Sequence, residues 1–172
     1  MSNPIPEKVA NFNVYSHTEK LVGVSGEITL PDFEAMTETV SGAGIAGEYE
    51  SPTIGHYGSQ EIEIPFRTIS DSSFNLMKNA GKPIVLRAAQ QSYDVAKGKT
   101  SARALKITLR GIPKGLTLGN LGVGTPTETT NKLEVLYIKI EESGKVLLEF
   151  DKLNFIFIVN GEDLLADVRN SI

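Results

Sequence analysis

Leu105-Lys106-Ile107-Thr108-Leu109-Arg110 alternates apolar and polar residues without a break. A strand turns successive side chains to opposite faces, so Leu105, Ile107 and Leu109 share one side and Lys106, Thr108 and Arg110 the other. This predicts a half-buried antiparallel strand with one wet face. The same period recurs on either side. Ile62, Ile64 and Phe66 oppose Glu61 and Glu63, and Val22, Val24, Ile28 and Leu30 oppose Leu21, Ser25, Glu27 and Thr29. Val9 to Tyr15 predicts a first strand, followed by the polar turn His17-Thr18-Glu19-Lys20. Pro83 to Tyr93 predicts another, with Arg87, Gln90 and Gln91 making both faces partly polar. Leu133 to Ile140 puts Leu133, Val135 and Tyr137 on one side and Leu136, Ile138 and Ile140 on the other. Leu153 to Val159 is similar, and strands apolar on both faces are covered twice or lie in a subunit contact. Glu142-Ser143-Gly144-Lys145 predicts a hairpin turn into Val146–Phe150.

Two helices complete a mainly β chain. Ser70-Asp71-Ser72-Ser73 offers caps ahead of Phe74, Leu76, Met77 and Ala80, and Gly81 with Pro83 ends the run. Phe74 and Met77 read as core anchors. A short C-terminal helix is expected from Asn160 or Gly161, with Glu162 and Asp163 at its positive end and Leu164, Leu165, Val168 and Ile172 as its apolar stripe. Residues 37–58 and 111–130 are rich in glycine and read as two long loops. Loops near this length in a compact domain are functional or order against a neighbour.

The chain has 172 residues, which predicts one domain over 1–172 with enough buried surface to need no staple. It has no cysteine, which removes disulfides, thiolate nucleophiles and thiolate metal sites. Neither a signal peptide nor a membrane span is read from MSNPIPEKVANF or from the longest apolar run, Phe155 to Val159. The expectation is a soluble intracellular protein, or one released by lysis. Net charge is −4, which disfavours nucleic-acid binding by a basic surface. That total hides a pattern. From Glu27 to Glu63 there are eight acids and no Lys or Arg; from Lys78 to Lys114 there are nine bases and one acid, Asp94. The blocks either pair within one subunit or give a protomer opposite charges at two ends, which suits head-to-tail association.

Several motifs are weak. Gly42-Ala43-Gly44-Ile45-Ala46-Gly47 fits G-x-G-x-x-G, but a dinucleotide fingerprint needs a buried strand before it and a helix after it. Glu48-Tyr49-Glu50-Ser51-Pro52 is no helix, and its acids would repel a phosphate. His17 and His56 read as exposed loop residues. Glu61/Glu63 and Glu48/Glu50 share strand faces and read as solvated edges rather than a metal site or a glycosidase dyad. No cofactor and no metal are expected. A small nucleotide- or cation-dependent enzyme using the glycine loop is the distant alternative.

Three stretches carry a resemblance. Ile28-Thr29-Leu30-Pro31-Asp32-Phe33 runs into Val40-Ser41-Gly42-Ala43-Gly44-Ile45-Ala46-Gly47. Leu86-Arg87-Ala88 precedes a strand closed by Leu109-Arg110-Gly111. Gly144 to Asp151, Asn154 to Ile156, Val159 to Leu165 and Arg169-Asn170 form a C-terminal block. Together they resemble the major tail tube proteins of contractile-tailed phages, a myovirus-type family that includes the tubes of phage-tail-like bacteriocins. The resemblance implies a tail tube-like fold, a β-barrel-like sandwich with one flanking helix and a short C-terminal helix. It implies a non-enzymatic virion subunit, assembled in the bacterial host cytoplasm as hexameric rings stacked into an inner tube under a sheath. Its implied partners are further copies, the tail sheath protein, and baseplate and tail terminator proteins. DNA would pass through at ejection without specific binding, and no membrane is involved; the alternative is the tube of a bacteriocin or related contractile injection system. Intersubunit contacts are expected from Gly42, Gly44, Ile45 and Gly47 and from Gly119, Gly122 and Gly124. Glu61 and Glu63, or the wet face of a neighbouring strand, are expected to line the lumen.

Overall fold

A computed structural model of the chain describes residues 3–78 and 81–172. The alternation at 105–110 lies in β7 (Lys99–Thr117), which pairs antiparallel with all of β6 (Ile84–Asp94), from Ile84 opposite Leu109 to Asp94 opposite Lys99. Ile107 and Leu109 are buried and Arg110 faces out, as the period requires. β1 (Pro4–Ser16) continues the sheet beyond β6, with β2 (Glu19–Lys20) at its end. On the other side of β7 come β8 (Thr129–Glu142), β9 (Lys145–Asp151), β10 (Ile156–Val159) and β11 (Glu162–Asp163). β3 (Ala35–Ser41) and β4 (Glu48–Tyr57) form a separate two-stranded sheet, and β5 (Glu61–Phe66) pairs with β8. α1 (Asp71–Met77) and α2 (Ala166–Ser171) are the two short helices.

β8 serves two layers. Its second half pairs with β9, and its first half pairs on that same edge with β5. Between the halves, Arg110 and Gly111 of β7 face Tyr137 and Val135, which leaves Leu136 as the extra residue of a bulge. Gly111 is needed there, because a Cβ would lie 2.3 Å from the Glu134 carbonyl oxygen. The sheet folds over at this point. β5, the first half of β8 and the end of β7 lie against the long β1–β6–β7–β8–β9 layer. Residues 24–29 edge the smaller layer through single bridges, Val24 to Phe66 and Thr29 to Glu63. The core between the layers holds Val14, Leu86, Ile107, Leu109, Ile138 and Phe150 from one side and Ile62, Ile64, Phe66, Leu133 and Val135 from the other. Each such side chain contributes about 1.5–3 kcal/mol on burial. This is the mainly β, barrel-like sandwich with two short helices that the sequence predicts.

The bulge corrects one reading. Leu133 and Val135 face the core, and Ile138 takes over that face because Leu136 shifts the phase; Tyr137 lies on the other side. The strand is therefore less two-faced than a straight reading suggests. The run 21–30 is no regular strand: Gly23 sits at φ +90, Leu21 is buried and Val22 is 75% exposed. In α1 the inward residues are Ser73 and Leu76, and Phe74 and Met77 face out rather than anchoring the core. Asn131 sets that orientation by donating from Nδ2 to the Ser73 carbonyl at 2.9 Å. Ala80, read as part of this helix, lies outside the described residues.

The C-terminal readings shift too. Asp151 Oδ1 accepts from the backbone N–H of Leu153 and of Asn154, which folds 152–155 into a turn, so β10 starts only at Ile156. Asn160 (φ +49) and Gly161 (φ +85) form a hairpin turn into β11 instead of opening a helix. α2 therefore begins at Ala166; Leu165 is buried and Val168 packs on the core, whereas Leu164 and Ile172 are exposed. The turn at Ser143–Gly144 is as read, with φ +49 and +84.

Candidate assembly surfaces

Residues 37–58 are an arm rather than a loop. β3 and β4 pair from Ser41 opposite Glu48 down to Thr37 opposite Pro52, and the G-x-G-x-x-G stretch is its exposed tip, with Gly42, Gly44 and Gly47 all at positive φ and Ile45 40% exposed. Hairpin strands on both sides, with no helix following, exclude the dinucleotide geometry. Among the described residues no other strand or helix packs extensively along the arm; it is fixed at its base. There Phe33 and Tyr57 meet Phe150 and Phe157 edge-on, with centroids 5.3–5.8 Å apart. Gly55, at φ +70, lies against Leu165, and the Lys152 ammonium donates to the Gly58 carbonyl at 3.0 Å. Beyond this base the arm carries Glu38, Glu48 and Glu50, none in an ion pair among the described residues, and exposes Met36, Tyr49 and Ile54.

The segment read as a loop over 111–130 is strand at both ends. β7 runs to Thr117 and β8 starts at Thr129, so the free part is 118–128. It is held at its root by Thr127 N–H and Glu128 N–H donating to the Arg67 carbonyl, and across by Asn120 N–H donating to the Thr127 carbonyl. A Cβ on Gly119 would lie 1.8 Å from the Thr127 oxygen, and one on Gly122 2.6 Å from Thr125 Oγ1; Gly124 turns at φ +75. Leu121 and Val123 stand fully out from it.

Glu61 and Glu63 lie on the outer face of the smaller layer, each beside a lysine. Lys114 Nζ lies 3.1 Å from Glu61 and 3.3 Å from Glu134, and Lys132 Nζ lies 3.4 Å from Glu63. Ser59 Oγ and the Gln60 N–H also donate to Glu134. Burial would raise the Glu134 carboxyl, but these hydrogen bonds and the Lys114 charge outweigh it and hold it below the usual carboxylate range. The hydrogen bonds to Glu61 and then Glu134, with the charge of Glu61, raise Lys114. One contact between the acid and base blocks of the sequence, Glu61 with Lys114, therefore forms within one subunit. Sequence reasoning singled out the two acids and missed Lys114, Lys132 and Glu134. Their alternation in β7 and β8 was the available signal, but the register that brings them to β5 was not.

The opposite face of the long layer is mixed. Lys106 and Lys139 flank Glu141 at 3.9 and 3.6 Å, and Arg110 lies over the Tyr137 ring. Tyr137 donates to Glu149 at 3.1 Å; burial, then the Glu149 charge, push its phenol up to about 12. Along the strands, Ile84, Leu109, Ile138 and Phe150 stand in one row, and the β6–β7 turn is at the far end, about 33 Å away. Phe150 belongs to the arm's base, so arm and turn mark opposite ends of the layer. The turn exposes Lys97 and Lys99 beside Tyr93 and Val95. β1 adds Lys8 and an outer edge that no strand pairs from Pro4 to Asn13 among the described residues. His17 and His56 are exposed, His17 in the β1–β2 turn and His56 in β4. Among the described residues no group of three or more His, Asp or Glu is placed to hold a metal ion, and no helix is long and apolar enough to cross a membrane.

The family described as phage tail tube protein FII matches residues 6–172. The tail tube protein of Escherichia phage P2 is 28% identical over 172 residues, covering 98% of each chain. The major tail tube protein of Serratia phage KSP20 is 25% identical over 163 residues, covering 95% of this chain and 93% of that one. Among solved structures, a chain of an extracellular contractile injection system, the PVC sheath/tube terminator in its extended state, shares the fold at a TM-score of 0.54 and 14% identity, over 79% of this chain and 96% of that one. The chain belongs to the phage tail tube protein FII family: it is a structural subunit of the tube of a contractile virion tail, and not an enzyme.

Proposed function

We propose that the subunits form hexameric rings, that the rings stack into an inner tube beneath the tail sheath, and that the tube conducts DNA at ejection without binding it specifically. Baseplate and tail terminator proteins are the partners at its two ends. One observation carries the stacking: an acidic, apolar-tipped arm and a basic, apolar turn lie at opposite ends of one rigid layer. A patch that meets a different patch continues to grow. In this reading the arm tip, with Gly42, Gly44, Ile45 and Gly47, and the loop at Gly119, Gly122 and Gly124 contact neighbouring subunits. The open β1 edge is closed by the next subunit, which removes an aggregation-prone edge. Glu61 and Glu63 line the conduit; with Lys114 and Lys132 beside them and Glu134 added, that face keeps a small negative excess, which slides past phosphates rather than holding them.

The test is a charge swap read by negative-stain electron microscopy across a concentration series. The parent protein forms rings or stacked tubes with a central hole. Glu48→Lys with Glu50→Lys raises the concentration needed, and adding Lys97→Glu with Lys99→Glu in the same chain restores it. Failure of the second pair to rescue the first removes the arm-to-turn contact from the reading.

A further inference from the structure

Where residues 26–30 cross the long layer, they leave a groove of about 380 Å³ between themselves and β1, β6 and β7. Val9, Phe12, Ile28, Leu30, Ala88 and Leu105 line it, and Glu27 is the one charged residue at its wall. Val9 is 50% and Leu30 46% exposed, so water covers apolar surface that opens directly onto the core.

We infer that this groove receives the 118–128 loop of a second copy of the chain, with Leu121 and Val123 as the inserted side chains. Three observations select that occupant. Leu121 is 90% and Val123 105% exposed, so neither is covered by the described residues of its own subunit. Leu118 to Thr127 carries no charge, although 22% of the chain is charged, so it brings no charged group that must be desolvated into an apolar slot. The other projecting segment, the arm, carries three acids and would meet Glu27 with like charge. The loop is also built to keep its shape. The Asn120–Thr127 hydrogen bond, the Thr125 N–H to Gly122 carbonyl contact and the close approaches at Gly119 and Gly122 fix the presentation of Leu121 and Val123 before contact. A preformed tip loses little entropy on docking. Loop and groove are different patches, so the contact is heterologous and propagates from subunit to subunit. The inference rests on the tube-subunit reading only in taking the partner to be another copy.

The absence of cysteine makes the test direct. Leu121→Cys and Leu30→Cys are made as separate single-cysteine chains, mixed at high concentration and oxidised, with Leu121→Cys plus Leu153→Cys as the control pair, Leu153 being 70% exposed and far from the groove lining. The expected result is a mixed disulfide dimer several-fold more abundant for the groove pair than for the control. A second variant, Leu121→Asp with Val123→Asp, is expected to keep the parent Tm and to weaken association about tenfold or more. Equal cross-linking in the two pairs, or unchanged assembly of the double aspartate variant, overturns the inference. If the parent assembles and the groove pair does not cross-link, only this contact falls. If the parent stays monomeric at every concentration, the tube reading is what suffers, and the cross-linking comparison still reads the contact in concentrated solution.

Discussion

Leu165 closes over Gly55 so tightly that a Cβ on Gly55 would lie 2.6 Å from Leu165 Cδ2. Leu165 is buried at the start of α2. Gly55 also holds φ +70, which an L-residue adopts at a cost. The base of the arm is thus held in part by one glycine and one leucine 110 residues apart in the chain. Gly55→Ala is expected to destabilise the fold by about 1–3 kcal/mol, read as a lower Tm. It should loosen the arm more than the body, read as faster amide exchange in β3 and β4 than in β7.

Phe150 touches three other rings, and 2% of it is exposed. Phe150→Ala is expected to cost about 3–5 kcal/mol by chemical denaturation, because it leaves a cavity where both the arm's base and β10 are anchored. Phe157→Leu, which retains bulk, should cost less.

Asn131 and Ser73 divide two kinds of buried polar group. Asn131 Nδ2 satisfies a carbonyl of α1, whereas Ser73 Oγ, like Asn131 Oδ1, is buried and finds no hydrogen-bond partner among the described residues. Asn131→Ala is expected to lose about 1–3 kcal/mol, since it strands a buried carbonyl. Ser73→Ala is expected to change stability little or to raise it. A large loss for the alanine at 73 would show that its hydroxyl is engaged.

Glu134 sets an acid dependence. Its folded carboxyl titrates below the ordinary value, so its contribution is fully present above that value and is lost as pH falls through the folded one. Thermal melts should therefore show stability dropping below about pH 4. Glu134→Gln removes part of that drop and lowers stability near neutrality, because Lys114 and the Ser59 hydroxyl lose their charged partner.

How far the sequence discloses this molecule depends on whether a residue's face is decided locally. Ile107 and Leu109 are legible because the strand is straight and one side is buried. Leu136 is not, because the bulge that it creates depends on the spacing of Arg110 and Gly111 across the sheet. The arm hides as an apparent loop because neither face of Glu38 to Glu50 has a core to pack on, and a strand without a core has no hydrophobic period. Phe74 and Met77 mislead for the opposite reason: their spacing is helical, but Asn131 on another strand decides which side of α1 turns inward. Of the candidate surfaces, the glycine positions and the two acids were visible as residue types. The lysines that neutralise those acids are 53 and 69 residues away from them, and only pairing register unites them.

β7 and β8 run without a chain break through both layers of the sandwich. A force applied along the tube therefore cannot peel one layer from the other without straining two continuous strands and their shared ladder. In the proposed stacking, the slender arm and the loop would be the weakest links. A column built that way would part between its rings when overloaded and release folded subunits.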